Sequence, residues 1–173
     1  MKYLSMRRGV WIFLSCIFTA LAAGCFYEPE IPDQSQFKSV DEMAGADQAV
    51  ARVYASSVLG PFAFHTWILV KSADSTKFDR WEVWPDFWEG TSVIRKNMRS
   101  AETHFGSIFY IVAEEVGSEA QAVKDVVESS RSNYPYMAYD FVNGPNCNTY
   151  TQWVADQAGW DIELPDAAVG KDY

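Results

Sequence analysis

The chain has 173 residues, too few for two ordinary domains, and carries a formal net charge of −9. That acidity excludes a reader of nucleic-acid backbones, because few cations are on hand to displace the phosphate counterions. Two histidines, a single thiol outside the first 25 residues and no close carboxylate–His spacing argue against a zinc site, no Gly-rich phosphate loop is present, and neither a metal nor a cofactor is expected.

Residues 1–24 read as an export signal. Lys2, Arg7 and Arg8 form a positive start, and an apolar run from Val10 to Ala20 is followed by small residues. The run is short for a comfortable bilayer span. It ends in Leu21-Ala22-Ala23-Gly24-Cys25, which resembles a lipobox, the recognition sequence of bacterial lipoproteins. The resemblance implies cleavage before Cys25 and a diacylglyceryl group on its thiol; an ordinary secretory signal or an N-terminal anchor helix is the alternative. Two or three acyl chains hold a protein stably at a lipid bilayer where one does not. Phe26 in place of Asp after the cysteine points, by analogy with enterobacterial sorting, to the outer membrane and its periplasmic face. Loss of the signal makes the mature chain three units more acidic. It also leaves Cys147 as the sole free thiol, since Cys16 is discarded and Cys25 blocked. An unpaired thiol in an oxidising compartment is a liability, and chemistry is one reason to keep it.

Residues 25–38 form the lipidated N-terminus and a polar tether, and residues 39–173 a single α+β domain. Ser39 and Glu42 have capping-box spacing. Val50, Val53, Tyr54 and Val58 continue at helical intervals, so a helix is predicted up to the Gly60-Pro61 stop. Phe62–Val70 is apolar on both faces and reads as a buried strand. The turn residues KSADSTK and the strand FDRWEVW (Phe78–Trp84) complete a hairpin. TSVIRKNMR supplies a third strand, and the stretch from Ser107 to Val116 begins as another. Ser118 and Gln121 are spaced to cap an amphipathic helix with Ala122, Val123, Val126 and Val127 on one face. A loop with a short strand, NYPYMAYDFVNGP, precedes a closing helix from about Asn146 to Ala158, which Gly159 ends. Trp67, Trp81, Trp84 and Trp88 crowd one segment and are expected to fill the core and cover the hairpin rather than line a groove.

The chemistry centres on Cys147. A thiol in the first turn of a helix sits at unsatisfied N–H groups and the positive dipole end, both of which favour the nucleophilic thiolate. The Cys147 backbone N–H could face a developing oxyanion, with the side chain of Asn146 or Asn148 as a second donor. Activation calls for a base. His104 lies in a polar stretch and reads as surface loop, whereas His65 is embedded in a buried strand, where an imidazole needs partners. A third group must fix its tautomer. Glu82 falls opposite His65 if the hairpin turn is SADS, and a shifted register brings Trp84 there instead.

A histidine on an early strand followed by a late helix opening Asn146-Cys147-Asn148, with Tyr150 beyond, resembles the circularly permuted papain-fold hydrolases. These comprise the PPPDE peptidases, the lecithin:retinol acyltransferase-like proteins and the permuted relatives of the NlpC cell-wall peptidases. Over roughly Ala51–Tyr173 the segments HTWILVK, WEVW, YPY, GPNCNTYTQWV and LPDAAVGKDY also resemble the domain-of-unknown-function family 3750. The first resemblance implies an α+β, circularly permuted papain-like (NlpC-type) fold, a small antiparallel sheet packed against helices. It also implies a thiol hydrolase or acyl-transfer enzyme in which Cys147 attacks an amide or ester of the cell envelope, in peptidoglycan or a lipid acyl group. The competing expectation is a catalytically inactive lipoprotein that uses the same fold to bind an envelope protein or glycan.

Overall fold

The computed structural model describes residues 30–173. The predicted signal, Cys25 and the first part of the tether lie outside the described residues. After a 3₁₀ turn at Gln34–Gln36 come α1 (Val40–Ala44), β1 (Val50–Ser57), β2 (Phe64–Lys71), β3 (Asp79–Asp86), β4 (Thr91–Lys96), β5 (Phe109–Val116), α2 (Ser118–Asn133) and α3 (Cys147–Ala158). The strands form one five-stranded antiparallel sheet in the order β4-β3-β2-β1-β5. Among the described residues no helix is long and apolar enough to cross a membrane.

The capping box at Ser39 is present, with Glu42 reaching back to the Ser39 N–H, but α1 stops after five residues. The helix predicted to continue through Val58 is instead the central strand β1. All eight of its residues are buried between β2 and β5. A strand covered on both faces carries apolar residues at every offset, so a helical interval can be picked out of it by coincidence. Arg52, which broke the apolar run, is buried too: its guanidinium pairs with Glu114 and donates to the Tyr54 hydroxyl.

Helix α2 begins one residue before the predicted cap would place it. Gly117 is the N-cap, without a side-chain hydrogen bond, and the Ser118 hydroxyl donates to Glu119. Val123 and Val127 are buried as expected, joined by Ala120 and Ser130. Helices α2 and α3 cover one face of the sheet, where Val53, Ile68, Val70, Trp81 and Val83 meet Tyr150 and Val154. On the opposite face Tyr54, Trp67 and Leu69 are covered by Phe37, Val40 and the loop after β4, whose Ala101 carbonyl accepts the Trp67 indole N–H at 3.0 Å.

One departure from regularity positions the site. Strands β2 and β3 pair at Val70–Asp79, Leu69–Arg80 and Ile68–Trp81, and the pairing stops there although both strands run on. The space between the continuing ends, Phe64–His65 on β2 and Trp84–Asp86 on β3, opens into a cleft.

Candidate active site

Cys147 is the first residue of α3, and its helix start is held unusually firmly. Asn146 caps it by accepting from the N–H groups of Asn148 and Thr149, while the Thr149 hydroxyl accepts from the Asn146 N–H at 3.0 Å. That reciprocal pattern is a capping box with threonine in the usual Glu/Gln position. The Asn146 amide donates to the carbonyls of Phe141 and Val169, and that of Asn148 to Phe64 and Val169, each 2.9–3.1 Å away. Neither amide has a donor left for an oxyanion. Asn148 ties the helix tip to β2 and both tie it to the C-terminal segment, which is therefore part of the site's frame.

The tie is close enough to demand glycine on both sides. Gly144 and Gly170 have φ of +84° and +78°, and a Cβ on Gly144 would stand 2.8 Å from the Thr149 hydroxyl and 2.9 Å from the Gly170 carbonyl. This is the conformation and the proximity that a side chain cannot accept.

His65 reaches the same point from β2. It is 4% exposed, and its Nε2 lies 2.8 Å from Glu82 Oε2. Cys147 is the other group that acts on the ring: attraction between sulfur and imidazole shifts both, while the thiol itself donates to Asn148 Oδ1 at 3.7 Å. The structure therefore brings Cys147, His65 and Glu82 together. Continuing the observed register puts Trp84 opposite His65, with ring centroids 4.8 Å apart, and Glu82 reaches the imidazole along the diagonal. Phe105 closes the imidazole edge-on at 5.3 Å. His104 is exposed and stacks on Phe109, outside the cleft.

Two further participants were not singled out from the sequence. Arg80, two residues before Glu82 and so on the same strand face, donates from Nη2 to Oε2 at 2.9 Å and holds Nε 2.8 Å from Oε1. Its other end donates to the carbonyls of Ser100 and Thr103, and the guanidinium lies 4.0 Å over the Trp67 ring. The i, i+2 spacing to Glu82 was a usable signal. Tyr139, in the loop before α3, lines the cleft with Cys147, and its hydroxyl helps to lower the thiol. Nothing in the tyrosine-rich stretch NYPYMAY distinguished it from its neighbours.

These groups form a buried line of alternating charge: Arg80, Glu82, His65, Cys147. Burial pulls the imidazole down, yet the facing sulfur and Glu82 carry it up to about 9. Burial likewise pushes the thiol up, but His65, the Thr66 backbone and the Tyr139 hydroxyl bring it below its ordinary value. Glu82, although buried, is held at about 2 by His65 and Arg80. Burial and the neighbouring sulfur push the Tyr139 hydroxyl upward, so it keeps its proton and remains a donor. Moving a proton from Cys147 to His65 leaves the net charge of the line unchanged, which is why a thiolate–imidazolium pair is tolerable there. Cys147 is 5% exposed and lines the cleft, of about 510 Å³, together with His65, Trp84 and Tyr139. Of the crowded tryptophans, Trp67 and Trp81 fill the core as expected. Trp84 borders the cleft, and Trp88 is exposed at the β3–β4 turn.

No group of His, Cys, Asp and Glu capable of holding a metal occurs among the described residues. Residues 48–173 match the model of a family described as protein of unknown function (DUF3750). No curated protein and no solved structure matches the chain.

Proposed function

The chain belongs to the DUF3750 family, and we propose that it is a thiol hydrolase or acyl-transfer enzyme of the cell envelope, built on a circularly permuted papain-like arrangement. The observation that carries this reading is the meeting of Cys147 and His65 in one cleft, with the buried Glu82 on the imidazole. The order of strand histidine before helix-opening cysteine supports the permuted topology. The sequence around Cys25 supports lipid anchoring, with the domain at the periplasmic side of the outer membrane.

In the acylation step the Cys147 thiolate attacks the carbonyl carbon of an ester or amide, and the carbonyl π pair moves to oxygen. The Cys147 backbone N–H and the Tyr139 hydroxyl would serve as that oxygen's donors. Collapse breaks the bond to the leaving group, which takes the proton from the His65 imidazolium and departs as alcohol or amine. A thioester on Cys147 remains. Water, or an acceptor alcohol or amine, then gives a proton to His65 as it attacks the thioester, and the thiolate–imidazolium pair returns. Glu82 holds the ring, and Arg80 keeps Glu82 ionised.

Alkylation of Cys147 by iodoacetamide across pH, read by mass on its own peptide, tests the reading. An activated sulfur keeps a reactive plateau well below the ordinary thiol range of about 8.5. A rate that falls about tenfold for each unit below that value would sink the enzyme reading and leave a binding lipoprotein.

A further inference from the structure

The walls of the cleft say more about the substrate than its base does. Val58, Phe64, Phe87, Phe141 and Val169 face it, and among the described residues no lysine or arginine lines it. In the loops that carry these lining residues the surface stays apolar. Phe87 is 83% exposed, Trp88 97% and Phe62 69%, with Leu59 and Val142 also open to solvent. They come from three separate loops, after β1, between β3 and β4, and before α3. Scattered single apolar residues on a surface need no explanation, but exposed ones on each of the three loops that supply Val58, Phe87 and Phe141 to the cleft do. Among the described residues Asp86 is the carboxylate that lines the cleft. A sugar chain would need hydrogen-bonding walls, and an anionic headgroup a cation.

Building on the reading of the site as an acyl-transfer centre, we infer that the substrate is a long-chain acyl ester, thioester or amide. The hydrocarbon tail lies along the Phe87–Phe141 side of the cleft and the carbonyl carbon sits at the Cys147 sulfur. The apolar rim continues the path of the tail toward the lipid surface from which it is drawn. Because burial of hydrocarbon supplies the affinity, binding rises with chain length by roughly fourfold for each methylene that becomes fully buried, until the cleft is filled.

Binding is measured without turnover in the full chain carrying Cys25→Ser and Cys147→Ala, by quenching of tryptophan fluorescence with doxyl-stearate. Saturable quenching that laurate reverses and butyrate does not is the expected result. Adding Phe87→Glu and Phe141→Glu, at two exposed positions, should weaken it by at least about tenfold while leaving the melting temperature in place. Equal binding by the rim variant, displacement by butyrate as effective as by laurate, or competition by an apolar peptide but not by laurate would overturn the acyl groove. An inert thiol in the Cys25→Ser chain, tested by the alkylation profile, would instead remove the enzyme reading. Failure of the groove and failure of the nucleophile are thus read separately.

Discussion

Substituting Glu82→Gln isolates the charge that holds His65. The carboxylate is fully buried, touches the imidazole at 2.8 Å and pairs with Arg80 on its other side. Raising an imidazole from 6.5 to about 9 corresponds to about 3 kcal/mol in favour of the charged ring. Attraction to the sulfur comes ahead of attraction to Glu82, so removing the carboxylate's charge should lower the imidazole only part of the way, by about one pH unit or about 1.4 kcal/mol. The Arg80 charge, left uncompensated, pushes the same way. Breaking a buried pair from one side also destabilises the fold, by about 3–5 kcal/mol. With two histidines in the chain, NMR titration of the ring protons assigns His65 by difference from a His104→Gln variant. The wild-type His65 midpoint should lie near 9 and that of the Glu82→Gln chain about a unit lower, with urea unfolding reporting the lost stability. A wild-type His65 that titrates as a free imidazole, or a Glu82→Gln midpoint that does not move, would refute the charge line.

Acid unfolding follows from the same carboxylate. Its folded value of about 2 lies below the ordinary 4.5, so its stabilisation is complete above 4.5 and disappears as pH falls toward 2. Circular dichroism should show roughly 3 kcal/mol lost over that window, and Glu82→Gln should flatten that part of the curve. Tyr139→Phe keeps the ring and deletes the hydroxyl that lowers the thiol. The pH midpoint of Cys147 alkylation should rise, acyl transfer should slow by about a hundredfold if the hydroxyl serves the oxyanion, and thermal stability should hardly change. Gly144→Ala drives a methyl into the Thr149 hydroxyl and the Gly170 carbonyl at a backbone angle alanine resists. A loss of roughly 2–4 kcal/mol in chemical unfolding, with slower Cys147 alkylation, is expected.

Local pattern was enough wherever the chain's own neighbours made the element. The Ser39 box, the strands from Phe64 to Val116, the closing helix and its Gly159 stop each rest on spacing within a few residues, and so did the placement of Cys147 at a helix tip. Burial on both faces erased the alternation that would have marked β1 as a strand. Only the sheet, by placing it between β2 and β5, shows why its Arg52 sits inside. The site divides in the same way. Cysteine, histidine and glutamate could be named from residue chemistry alone, but the diagonal reach of Glu82 depends on a pairing register that two turn geometries left open. The two asparagines looked like free donors until the carbonyls of Phe64, Phe141 and Val169 arrived from distant parts of the chain. Arg80, Tyr139 and the apolar mouth acquire meaning only from what the fold brings beside them. Capping and periodicity are short-range and written along the chain. Register, charge pairing and the parting of β2 from β3 are long-range, and folding alone decides them.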